Sequence, residues 1–340
     1  YDTDPANNML LIREAFKGAN TVIVYICTEG TAKAAGTGGG VTGTAKYKGS
    51  RGNALKFAIL ANTISGFDFE VYLDGSRVEL FERITDVSEI DSEWIDFALA
   101  TAQSTISAVA GVSLTGGTSA TTSNSDITAF LDAAEGVAFN TMCFPLTDST
   151  LHAALKTKIK YLRENVGHGV QGVAPSFAGD YEGIINVTNS YALDDYELTT
   201  AEACAFVAGI TAGATNVQSN THRKVDSATG VVNLKTHEES EAAIRAGQFF
   251  FSVDETGDVC VEYDINSLIT FTVKKGKHYR KNRVIRVFDT FQEAIQLNFP
   301  PNKYDNDPDG WAIMEGIGRS ILKRFGPRSQ GGVGAIKNID

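Results

Sequence analysis

The chain has 340 residues, 43% of them apolar and 21% charged, with a net charge of −11. That is globular composition, and it is too long for one ordinary core, because domains usually run to about 100–200 residues. The acidic balance excludes a general affinity for nucleic acid or anionic membrane, which needs a basic field. No apolar run approaches the roughly 18 residues of a membrane span.

Tyr1 rather than Met opens the sequence, so further residues are expected upstream, and no signal peptide is seen. Asp4 and Pro5 read as the N-cap and first position of a helix closed by Gly18. Residues 21–27 (TVIVYIC) form a continuous apolar run, which reads as a strand buried on both faces. Residues 30–43 are rich in Gly, Thr and Ala. From there to about residue 115 the chain reads as short strands, with one clear hairpin: Phe67, Phe69, Val71 and Leu73 alternate before Asp74-Gly75, a type I′ turn signal.

After Gly117 helices return. Ile127, Phe130, Leu131 and Ala134 share one face of a helix starting at Asn124 or Ser125 and stopped by Gly136. A strand AFNTMCF ends at Pro145. Residues 148–166 then form an amphipathic helix with Leu151, Leu155, Ile159 and Leu162 on its stripe. Short strands are expected near 169–174 and 183–188. Thr199-x-x-Glu202 and Thr236-x-x-Glu239 are capping boxes opening helices that stop near Gly213 and Gly247. QFFFSV and VCVEYDI flank residues 254–258 as a hairpin. RVIRVF reads as a strand, followed by a helix over 289–298. Asp307-Pro308 caps a last helix carrying Ile313, Ile317, Ile321, Leu322 and Phe325, ended by Gly326, and residues 333–339 read as a closing strand.

This pattern predicts a multi-domain α/β and α+β protein. A discontinuous α/β domain covers 1–32 and 117–247. A β-rich, sandwich- or barrel-like insertion covers 33–116, and a C-terminal α+β domain covers 248–340.

Motifs with chemical promise fail on context. Gly38-x-Gly40-x-x-Gly43 has the letters of a dinucleotide fingerprint but neither the strand before it nor the helix after it. Asp305-x-Asp307-x-Asp309-Gly310 begins like a calcium loop, yet Gly316 stands where the bidentate Glu belongs, so carboxylates at a helix N-terminus are expected instead. His152, His168, His222, His237 and His278 form no metal-ligand spacing, and no G-x-S-x-G elbow is present. Cys27, Cys143, Cys204 and Cys260 lie far apart in apolar runs and read as buried free thiols of a reducing cytoplasm. No catalytic group, cofactor site or metal site is expected. One feature stands out in an acidic chain: Lys274, Lys275, Lys277, Arg280, Lys281, Arg283 and Arg286. This run suits a solvated strand edge, a contact with acidic surface on a neighbouring protein, or nucleic acid, although Tyr279 is the one aromatic that accompanies it.

The strings VEYDINSLITFT, KNRVIRVFDTF, NDPDGWAIMEGI and GAIKNID resemble the C-terminal region of contractile phage tail sheath proteins. Earlier stretches agree in order, among them EAFKGANTVIVY, TAKYKGSRGNAL, DYEGIINVTN and AEACAFVAGITAGA. Ile265-Asn266-x-Leu268 and the run from Lys281 to Val287 are the most specific. The resemblance implies a structural subunit rather than an enzyme. Such subunits stack as hexameric rings around a tail tube and contract, driving the tube through the host envelope without nucleotide hydrolysis. It implies contacts with copies of itself, the tube, the baseplate and the tail terminator, and neither nucleic acid nor membrane. It places the protein in a virion tail assembled in the bacterial cytoplasm, with residues 248–340 facing the tube. The family also leads one to expect an additional N-terminal region and often a C-terminal arm. A phage-derived bacteriocin or secretion sheath is the nearest alternative. An α/β enzyme with a β-rich insertion and a surface-exposed binding module are alternatives of other classes.

Overall fold

The computed structural model of the chain describes residues 9–194 and 196–336. They fall into two compact units, one of Val24–Phe130 and one of Met9–Ile23 with the chain from Leu131 onward. The expected helix start at Asp4 and Pro5 lies outside the described residues. The helix itself is α1 (Leu10–Phe16), and the backbone N–H of Gly18 donates to Ala15 as it ends.

Between its ends the first unit is β, with two short 3₁₀ turns at Ser50–Ala54 and Val87–Glu89. Its strands are β1 (Lys33–Gly38), β2 (Val41–Lys48), β3 (Leu55–Ala61), β4 (Phe67–Leu73), β5 (Ser76–Ile84), β6 (Ile95–Leu99) and β7 (Val109–Ser113). They form a three-stranded sheet, β1-β2-β6, and a four-stranded sheet, β5-β4-β3-β7, every pairing antiparallel. Alternation buries Val41 and Ala45 from one sheet and Phe57, Ile59, Phe69 and Val71 from the other. Phe97 meets Phe57 and Phe69 edge-on, with ring centroids 5.3 and 5.5 Å apart. Asp74 and Gly75 turn between β4 and β5 at φ of 50° and 81°, the positive pair a type I′ turn needs. The fingerprint-like glycines belong to the β1–β2 hairpin: Gly39 and Gly40 form its turn, and a side chain on Gly43 would meet the Phe57 ring at 2.9 Å.

α2 (Asn124–Ala133) follows, and then the larger unit. Its main sheet is parallel, in the order β14-β10-β9-β8, from β8 (Thr141–Cys143), β9 (Gln171–Pro175), β10 (Ile184–Val187) and β14 (Gln248–Phe249). Every residue of β9 and β10 is buried, as expected when both faces of a parallel sheet are covered. α3 (Ser149–Tyr161) starts on Asp148, whose side chain accepts from the backbone N–H groups of Thr150 and Leu151. It runs into a π-helical turn, Leu162–Val166, ended by Gly167 at φ 82°. β11 (Ser190–Leu193) pairs antiparallel with β12 (Tyr196–Glu197) and with β13 (Gly230–Val232). α4 (Thr200–Gly213) and α5 (His237–Arg245) each open on a complete capping box. β15 (Phe251–Val253) and β16 (Val259–Val261) form the expected hairpin. The core gathers Val173, Ile185, Tyr191, Phe206, Phe249 and Phe251 around α4. Since β14 pairs with β10, residue 248 falls inside the α/β sheet.

In the β15–β16 turn, hydrogen bonds from the Thr256 hydroxyl and from backbone N–H groups hold the Asp254 carboxyl down at about 2. A carboxyl depressed in the folded state stabilises the turn above its unfolded value, near ~3.9, and loses that effect as pH falls toward its folded value. Thr256→Val should raise the Asp254 midpoint, read by carboxyl carbon NMR.

Three expected strands are corrected. Residues 21–27 join no sheet, and Ile23, Val24, Tyr25 and Ile26 are exposed. RVIRVF is helical, within α6 (Asn282–Asn298), where tertiary packing overrides the strand preference of its branched residues. Residues 333–336 form no strand, and the rest of that expected strand lies outside the described residues. α7 (Pro308–Phe325) matches its expected limits, and the Asp307 side chain accepts from the Gly310 N–H at its start. Only Cys204 and Cys260 are buried outright, while Cys27 and Cys143 keep some exposure. Among the described residues no helix is long and apolar enough to cross a membrane.

Candidate assembly surface

The two most family-specific strings meet at the base of the basic run. Asn282 is fully buried, and its amide donates to Asp264 Oδ1 at 2.9 Å while its own oxygen accepts from Gln171 Nε2 at 3.2 Å. Asp264 Oδ2 accepts from the Asn220 backbone N–H at 3.0 Å. Asn266 donates to the Tyr279 carbonyl at 2.8 Å, and its oxygen accepts from the Leu268 N–H at 3.1 Å. These carboxamides clamp the two ends of the loop that carries the lysines. The sequence marked the strings but not this role, because the partners Gln171 and Asn220 lie far away in the chain. Asn282→Ala removes the partner of Asp264 Oδ1 and should cost about 1–3 kcal/mol in chemical denaturation.

The structure divides the expected cationic group. No strand carries it: residues 277–280 form a 3₁₀ turn, and Lys281, Arg283 and Arg286 lie at the start of α6. Lys275 turns inward, paired with the Glu182 carboxylate and 5.4 Å above the Tyr181 ring. Arg280 and Arg286 are drawn in as well, and burial lowers the pKa of each guanidinium from its usual value. Arg286 Nη1 donates to the carbonyls of Thr215 and Gln218 at 3.1 and 2.9 Å. Lys274, Lys277 and Lys281 stay exposed and Arg283 half-buried, and among the described residues these four make no ion pair. Beside them residues 269–273 join no helix or strand, and Ile269, Phe271 and Val273 are all exposed.

A buried ion pair with no local sequence signature ties α6 to the core behind this surface. Arg163 holds Asp289 with two hydrogen bonds of 2.6 and 2.9 Å and also donates to the Val170 carbonyl at 2.8 Å. Burial raises the Asp289 carboxyl above its usual range, against the opposing pull of Arg163. Next to the pair lies a cavity of about 470 Å³, bounded by residues 138–141, 167–171 and 211–216 and by α6. Among the described residues no group of His, Cys, Asp and Glu is placed to hold a metal ion.

The β-sandwich domain of phage tail sheath proteins matches residues 28–122, and their central domain matches residues 120–267. A sheath tail protein from Desulfitobacterium hafniense superposes with a TM-score of 0.88 at 34% identity, over 99% of this chain and 79% of that one. The chain belongs to the phage tail sheath family. Two proteins of Bacillus subtilis (strain 168), YqbK and the phage-like element PBSX protein XkdK, are 39% and 38% identical to it over 313 residues. The sheath chain spans 66% of the length of these curated relatives. The family is structural rather than enzymatic. The sandwich match coincides with the seven strands of the first unit, and the central match ends at Ser267, just ahead of the basic loop.

Proposed function

We propose that this chain forms the body of a contractile tail sheath subunit that stacks as hexameric rings around a tail tube. Contraction then drives the tube through the host envelope. The observation that carries this reading is the pair of sheath-domain matches, which together run from residue 28 to residue 267. In physical terms the work is stored in a bistable packing of subunits, so no nucleotide site is needed. The partners on this reading are other copies of the chain, the tube protein, the baseplate and the tail terminator. The place of action is the tail of a particle assembled in the bacterial cytoplasm. Immunogold labelling with an antibody to this chain should decorate the tail along its whole length. Label confined to a capsid or to one tail end would contradict the proposal. The likeness to XkdK, whose name is that of a phage-like element, favours a phage-derived device as the second reading.

The exposed cations Lys274, Lys277, Lys281 and Arg283 are the proposed contact with acidic surface on the tube or the next subunit. Reversing Lys281 and Arg283 to Glu should shorten or abolish sheaths without unfolding the chain. Sheaths of normal length from that variant would remove these residues from the interface.

A further inference from the structure

We infer that α6 and α7 open together from the α/β core, hinging at the first turn of α6. The first turn is anchored by apolar and buried groups: Ile285 and Asn282 are 1% and 0% exposed. Beyond it the ties to the core are polar and reach mostly loop carbonyls. Arg286 donates to Thr215 and Gln218, Arg163 holds Asp289, and the Thr290 hydroxyl donates to Asn216 Oδ1 at 3.0 Å. Gln292 and Gln296 donate to the Gly167 carbonyl at 3.3 and 3.2 Å. The segment has a core of its own: Val287 and Phe291 of α6 pack with Ile321 and Phe325 of α7, and the Phe291 and Phe325 ring centroids lie 5.5 Å apart, while outside this core Phe288 meets Tyr279 of the preceding turn at 5.1 Å.

The seam is also poorly satisfied when closed. The cavity of about 470 Å³ runs along it. Thr211 Oγ1, 4% exposed as a residue, and Nε and Nη2 of Arg286 are buried there with no hydrogen-bond partner. A buried donor without a partner costs free energy that hydration restores, so opening recovers part of what the polar ties lose. A segment with its own core and a polar, incompletely satisfied seam has the makings of a separate cooperative unit. Resting on the sheath reading, this hinge would let α7 and the part of α6 beyond Ile285 change their angle while the first turn with Arg283 and the parallel sheet stay in place.

Hydrogen exchange on the chain alone tests the opening with no sheath present. The amides of residues 286–325 should exchange as one correlated group, at least tenfold faster than those of residues 200–213. Arg163→Lys, which gives up the two-pronged pair, should speed that group at least a further threefold and leave residues 200–213 unchanged. Exchange of both regions in a single global event would overturn the inference, and so would α7 exchanging independently of α6. Either result would leave the sheath reading standing, because that reading is tested on particles.

Discussion

Arg163→Ala should lower the unfolding free energy by about 3–5 kcal/mol, the range for removing one partner of a buried pair. Both side chains are largely shielded from water, with 12% and 14% of their surfaces exposed. The loss arises mainly from stranding Asp289, whose carboxyl burial already raises. A carboxyl raised in the folded state binds its proton more tightly there than in the unfolded chain. The penalty should therefore be largest above the folded midpoint of Asp289 and shrink as pH falls through it. Replacing Arg163 and Asp289 together by Met and Leu should recover most of the loss, since well-packed apolar pairs replace buried ion pairs at little cost. Urea titrations of the two variants at neutral and acid pH check both statements. Equal destabilisation by the single and the double variant would show that packing, not charge, sets the cost.

The second large effect belongs to the seat of α1. A side chain on Gly209 would meet the Ala15 carbonyl at 2.1 Å, and one on Gly213 would meet the Gly18 carbonyl at 1.9 Å. Both obstacles are backbone, so neither can swing aside. α1 also seats a fully buried Glu14, which accepts from the Tyr191 hydroxyl and pairs with Lys17 Nζ at 2.9 Å. Displacing the helix would break that arrangement. Gly209→Ala and Gly213→Ala should each cost about 1–3 kcal/mol by overpacking, although alanine is the better helix former by about 1 kcal/mol. The double variant should release α1, read as rapid proteolysis between residues 10 and 23 while the rest resists. Unchanged protease resistance would mean that α4 can shift to make room.

Local chemistry was legible wherever one stretch of chain carried its own instructions. The Asp74-Gly75 hairpin, the two capping boxes and the start of α7 at Asp307 follow from neighbouring residues alone. Residues 21–27 misled because an apolar run says that a strand would suit it, not that a sheet edge accepts it. RVIRVF misled because its alternating branched residues suit a strand, whereas the helix buries Ile285 and Val287 on different sides, Val287 against α7. The cationic run was visible as composition. Which of its members face outward was not, because that depends on Glu182, Thr215 and Gln218, remote in sequence. The Arg163–Asp289 pair, 126 residues apart, left no local trace at all.

The most direct test of the sheath assignment is negative-stain electron microscopy of the protein with its tube protein supplied. Hollow tubes or stacked rings with six-fold symmetry are the expected result. Dispersed monomers at high concentration, with the tube protein left bare, would contradict it.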